Sequence, residues 1–232
     1  MPLINLTIPE FKRALQYFFW VSLAISVPIV LLRHVAFESS LFAAFTSVPL
    51  AVATALGLTL FVLRRPLAGP HLAKLLRRKQ IHGLWFGHLT SNYGEDAGQP
   101  ELHIPVAFVV RQNYLGYSIA SFTAGQDGYS QLESLTQDLK TGSYVLRYVF
   151  ELRRTYRGEN KLTQGSGQLR LTSSDSKMTG FYWTNSPTQG QAELKLVQRD
   201  CNHIDNYADA ERAFLIHRAN PTATVASTEV VT

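Results

Sequence analysis

The chain has 232 residues, 46% of them hydrophobic, a formal net charge of +5 and one cysteine, Cys201. That length holds one sizeable domain plus an appendage, and a lone thiol excludes an internal disulfide framework and fits a reducing compartment. Residues 1–82 carry nine Lys/Arg against two acids, residues 83–199 eleven against ten, and the tail from Asp200 two against five, so the large domain lacks the basic surplus that binding a polymeric nucleic acid demands.

Two runs without charge come first: ALQYFFWVSLAISVPIVLL from Ala14 to Leu32, and LFAAFTSVPLAVATALGLTLFVL from Leu41 to Leu63. At about 1.5 Å per helical residue the shorter reaches roughly 29 Å, close to the ~30 Å hydrocarbon thickness of a bilayer. Pro28 and Pro49 are compatible with membrane helices. A cleaved signal peptide would use Lys12 and Arg13 as its n-region, but the apolar run is long for one and ends at Arg33, not at a small-residue cleavage site. Residues 1–65 therefore read as a transmembrane helical hairpin. Lys12 and Arg13 precede the first helix and Arg64 and Arg65 follow the second, which puts both ends in the cytoplasm. Ala43, Ser47, Ala51 and Ala55 recur every fourth residue as a smooth seam, for the first helix or for another subunit.

Residues 66–82 read as a basic juxtamembrane linker. Its Lys74, Arg77, Arg78 and Lys79 suit anionic headgroups, and Leu72, Leu75 and Leu76 suit the membrane surface.

From Gly83 the period changes to two. Eight strands are expected, over 83–91, 101–111, 114–123, 129–139, 143–155, 165–173, 177–185 and 190–199, separated by turn-forming stretches such as AGQDG, KTG and NSPTQG. Alternation is clearest at Tyr144, Leu146, Tyr148, Phe150 and Leu152, and recurs at Leu102, Ile104, Val106 and Phe108 and at Ala192, Leu194 and Leu196. Short connections imply an antiparallel meander, and closing it into an up-and-down barrel over 83–200, in preference to an open sandwich, removes the exposed edges. The fold class expected is thus a membrane-anchored all-β protein, two transmembrane helices before an eight-stranded barrel. The tail, 201–232, offers a short helix in NYADAERAFLIHR and then a loose end.

The seven histidines are scattered without metal-ligand spacing, QGSGQ around Ser166 is not a nucleophile elbow, and no phosphate-cradling loop is present in the sequence. A binding domain, not an enzyme, is expected, with no metal and no cofactor. Trp85, Tyr117, Tyr144, Tyr148, Tyr156, Tyr182 and Trp183 form a large aromatic set, whose plain reading is core. Taken with Arg111, Arg170 and Thr123, the set supplies stacking faces, donors and positive charge together, a combination suited to a nucleobase and its phosphate. The candidate ligand residues are Trp85, Arg111, Tyr117, Thr123, Tyr144, Tyr148, Arg170 and Tyr182.

Three stretches, GLWFGHL at 83–89, YRGENKLTQGSGQLRL at 156–171 and GFYWTNSPTQGQAELKL at 180–196, give the chain a resemblance to a known family. It resembles the CBASS antiphage effectors in which two membrane helices carry a cytoplasmic β-barrel. The resemblance implies a cyclic dinucleotide or related cyclic oligonucleotide as ligand, supplied by a cognate CD-NTase. It also implies homo-oligomerisation on activation and disruption of the inner membrane, leading to abortive infection. Two other classes fit the same pattern: a membrane-tethered carrier of a small apolar ligand such as a fatty acid, and a structural barrel that docks a protein partner.

Overall fold

The computed structural model describes residues 5–37, 41–67, 69–92, 101–154, 162–172, 175–186 and 188–220, with the side chains at 33–37, 41–48, 70, 72 and 154 left aside. Residues 68, 93–100, 155–161, 173–174, 187 and those from 221 lie outside the described residues, and with them Tyr156 of the aromatic set, the start of the 156–171 stretch and the ends of the strands expected to reach 155 and 173. The chain forms two compact units, one of Ile4–Pro66 with Asn113–Gly116, the other of Leu67–Gln112 and everything from Tyr117 onward.

In the first unit α1 (Ile8–Phe37) packs against α2 (Leu41–Arg64). A capping box starts α1: the Thr7 backbone N–H and hydroxyl both donate to the Glu10 carboxylate at 2.9 Å. Ile8–Leu32, with mean hydropathy 2.0, is long and apolar enough to cross a membrane, while the described apolar part of α2, Pro49–Arg64, is shorter. Phe11, Phe19, Trp20 and Leu31 on α1, with Leu56 and Phe61 on α2, are exposed, whereas Ala51, Ala55, Thr59 and Leu63 are buried at every fourth position. The expected small-residue seam is thus partly occupied within one chain, at Ala51 and Ala55; the side chains of Ala43 and Ser47 lie outside the description.

In the second unit a short helix, α3 (Pro70–Leu75), leads into β1 (Gly83–Ser91), β2 (Leu102–Gln112), β3 (Tyr117–Phe122), β4 (Gln126–Gln137), β5 (Tyr144–Arg154), β6 (Thr163–Leu171), β7 (Lys177–Thr184) and β8 (Gln189–Gln198). Each strand pairs antiparallel with the next, and β8 returns to β1, closing an eight-stranded up-and-down barrel. The alternation has its expected consequence. Val106 and Phe108, then Tyr144, Leu146, Tyr148, Phe150 and Leu152, then Ala192, Leu194 and Leu196 all join one interior cluster.

Two departures are physical. β3 begins at Tyr117 because Asn113 builds a longer turn, its side-chain oxygen accepting from the Leu115 and Gly116 N–H groups at 2.8 Å. In β4 a bulge between Ser130 and Leu132 shifts the register, so that Glu133 lies opposite Tyr148 and shares its inward face. Ser130 replaces the lost ladder contact by accepting from Ile119 N–H at 2.8 Å.

The barrel is also packed from outside. Helix α4 (Tyr207–Ala219) starts at Asn206, whose side chain accepts from Asp209 N–H. It brings Ala210, Ala213 and Phe214 onto Leu84, Phe86, Val109 and Phe122, with Phe86 and Phe214 stacked at 4.4 Å. Burial on both faces explains why the run Val106–Val110 is apolar without alternation.

Candidate functional site

Of the sequence-predicted ligand residues, Trp85, Tyr117, Tyr144, Tyr148 and Tyr182 converge in the barrel interior. They meet there as packing. Trp85 is fully buried and its indole N–H donates to the Ile81 carbonyl at 2.9 Å. Tyr148 stands edge-on to Phe108, centroids 5.8 Å apart, and lies 5.7 Å from Phe150. Burial, and then the neighbouring Tyr182, raise the Tyr148 phenol pKa. The inward Gly167 makes room: a Cβ there would collide with the Tyr148 ring. An eight-stranded barrel is just wide enough to be filled by such side chains.

One end of the interior is polar. Ala73 and Leu76 are buried, Arg77 adopts φ 48°, and the Arg78 and Arg77 N–H groups donate to the Ala73 and Lys74 carbonyls, a Schellman stop with arginine where glycine is usual. The reversal buries Arg78, whose Nε donates to the Tyr117 hydroxyl at 3.0 Å. Glu133, buried too, accepts from the Ser130 hydroxyl. Lys79 pairs with Asp175 and lies 5.2 Å from the Tyr144 ring. The expectation that Leu76, Arg78 and Lys79 face headgroups is therefore corrected: a sequence run of cations is divided by the backbone turn, and these residues serve the barrel. Leu75 alone of the expected leucines is described as exposed.

Arg111 and Thr123 fall elsewhere. Arg111 points outward and donates to the Ile204 carbonyl at 3.0 Å and to Asp205 at 2.9 Å, fixing the approach to α4. The Thr123 hydroxyl closes the β3–β4 turn, donating to the Gln126 carbonyl and accepting from its N–H, each at 3.1 Å. Their local hydrogen bonds separate them from the aromatic interior.

Arg170 lines an open cleft of about 420 Å³ on the outer wall. Strand register assembles it. One row runs Arg170, Thr179, Glu193, His88 across β6, β7, β8 and β1, and two residues along a second runs Gln168, Phe181, Gln191, Thr90. Backbone at Gly180 and Ala192 completes the lining. Lys177 binds Glu193 at 2.7 Å and its hydrogen bond holds that carboxyl below its usual range. Arg170 is exposed and makes no hydrogen bond or ion pair among the described residues; its charge acts on Asp138. Phe181 is 58% exposed. The cleft thus offers a free guanidinium, an imidazole, two hydroxyls, one ring face, the Gln191 amide, the Gln168 amide whose oxygen accepts from Arg147 Nε at 3.2 Å, and the Glu193 carboxylate held by Lys177. Sequence reasoning found only Arg170 here, because the other members come from four strands and have no shared spacing. Among the described residues no group of His, Cys, Asp and Glu is arranged to hold a metal ion.

Fold and cleft define a class: a closed eight-stranded antiparallel barrel with a polar cleft on its wall, carried in one chain with an apolar helix long enough to cross a membrane. No family model matches the chain and no curated protein matches it.

Proposed function

We propose that the protein is a membrane-anchored sensor of a cyclic oligonucleotide, an effector of the CBASS type that the sequence resembles, with α1 and α2 crossing the inner membrane and both chain ends cytoplasmic. Ligand recognition belongs to the wall cleft. The observation that carries this reading is the uncommitted Arg170 in one cleft with the exposed ring of Phe181. A guanidinium pairs bidentately with a phosphate, an aromatic face stacks on a base, and Gln168 and Gln191 amides suit base edges. In this reading assembly of liganded subunits drives membrane disruption, and the barrel performs no chemistry. The packed interior speaks against the fatty-acid carrier, which needs a hollow one.

The test is calorimetric titration of the full chain in detergent micelles with a panel of cyclic di- and trinucleotides. One of them should bind, and Arg170→Ala and Phe181→Ala should each weaken it about tenfold, in line with ~1–3 kcal/mol per stacked base, at unchanged melting temperature. Binding that ignores both substitutions would remove the cleft as the site, and no binding by any cyclic nucleotide would remove the sensor reading.

A further inference from the structure

We propose that the β2–β3 turn, Asn113–Gly116, is the coupling element through which the state of the barrel reaches the ends of α1 and α2. The turn stands in the helical unit, while the residues on either side of it, Gln112 and Tyr117, stand in the barrel unit. Hairpin turns are ordinarily solvated and polar. This one places a tyrosine, Tyr114, at 0% exposure.

The turn grips both helices. Tyr114 N–H donates to the Leu63 carbonyl at 3.0 Å, satisfying one of the last carbonyls of α2, which have no partner within the helix. The Tyr114 hydroxyl donates to the Glu10 carbonyl in the first turn of α1 at 2.9 Å, and Asn5 N–H, just before α1, donates to the Leu115 carbonyl at 2.8 Å. The turn is stiff in itself, since Asn113 accepts from two of its N–H groups and its own N–H donates to the Gly116 carbonyl at 3.1 Å.

The two flanking residues are anchors of the polar barrel end. Gln112 accepts from the Ile81 and His82 N–H groups, at 2.7 and 3.1 Å, and donates to the Lys79 carbonyl at 2.7 Å. Tyr117 accepts from Arg78. A change at that end therefore displaces residues covalently joined to a rigid turn, and the turn holds the start of one helix and the end of the other. The inference rests on the sensor reading only for what supplies the input.

The test needs no ligand. In the full chain in lipid nanodiscs, Tyr117→Phe perturbs the barrel end, and hydrogen exchange is followed in peptides covering residues 5–15 and 58–66. Exchange in both should rise several-fold with Tyr114 intact and should show no further rise in a Tyr114→Ala background. Tyr114→Phe, which deletes the hydroxyl that bonds Glu10 and keeps the ring and the N–H to Leu63, should blunt the response at 5–15 and keep it at 58–66; this variant decides if Tyr114→Ala fails to fold. Helix ends indifferent to Tyr117→Phe, or a response that survives both Tyr114 variants unchanged, would overturn the proposal. Absence of nucleotide binding would sink the sensor reading and leave this result standing.

Discussion

The guanidinium carbon of Arg78 lies 4.6 Å from the centre of the Tyr117 ring while its Nε donates to the hydroxyl of the same residue, and the arginine is only 4% exposed. A buried cation is costly unless it is paired or hydrogen-bonded. Tyr117→Phe preserves the ring and deletes the acceptor, so it should lower stability by ~1–3 kcal/mol, the range for leaving a buried polar group short of a partner. Arg78→Gln should also destabilise, and should leave binding to anionic vesicles unchanged. Thermal unfolding and vesicle flotation read the two effects separately; a stable Arg78→Gln protein with weakened flotation would restore the headgroup role that the bare sequence suggests.

Gly180 faces inward between β6 and β8, where a Cβ would collide with the Gln168 carbonyl oxygen. The obstacle is backbone, which no rotamer change relieves. Gly180→Ala should cost at least the ~1–3 kcal/mol of ordinary overpacking, read as a lowered melting temperature or lost soluble expression. Gly125, with nothing within 4 Å of its added Cβ, is the control, and Gly125→Ala should melt within a degree or two of wild type. Equal melting of the two variants would mean that the sheet is not pinched at Gly180.

Much of this architecture is legible because burial on one face forces period two, and the strands found start and stop within about three residues of those expected from alternation and turn residues. Other features were written in the sequence in a form easily passed over. Thr7 and Glu10 spell a capping box, and the unbroken apolar run Val106–Val110 requires cover on both faces, which α4 supplies. The wall cleft is different in kind. Arg170, Thr179, Glu193 and His88 become neighbours only through the register of three strand pairs, a long-range property that no local spacing carries. The fate of Arg78 was equally hidden, since a cluster of cations looks the same whether solvated or divided by a backbone reversal.

His82 gives a pH dependence of defined sign. It is buried at 1% exposure, and its Nδ1 accepts from the Gln112 N–H at 3.0 Å, an arrangement open only to the neutral ring. Burial first, then the positive charge of Arg199, lowers its pKa from the ordinary 6.5. The unfolded chain therefore takes up a proton near pH 6.5 that the folded chain refuses. His82 contributes its full stability above that pH, and the contribution is lost as pH falls from 6.5 through the folded pKa. Melting temperature should drop between pH 7.5 and pH 5.5, and His82→Asn, which keeps an acceptor but cannot titrate, should flatten that drop. Parallel pH profiles for the two proteins would assign the dependence to another group.

The single cysteine offers a direct measure of how firmly α4 holds. Cys201 is fully buried in the cluster beneath that helix, with its thiol 3.8 Å from His82 Nε2, and burial pushes the thiol pKa up to about 11. Only the thiolate reacts, so native Cys201 should label slowly for two reasons, inaccessibility and protonation. Labelling then waits for α4 to lift, and its rate follows the free energy of that local opening. Phe214 supplies much of the grip through its stack on Phe86. Phe214→Ala removes a ring that is not fully buried, so a loss of ~1.5–3 kcal/mol, below the range for a fully buried phenylalanine, is expected. Because 1.4 kcal/mol is a factor of ten, Cys201 alkylation should accelerate by about ten- to a hundredfold. Trp85, on the opposite face of β1, should keep its native fluorescence while this happens, since the interior cluster does not include Phe214. Acceleration accompanied by loss of the buried Trp85 signal would show instead that α4 and the barrel unfold as one cooperative unit.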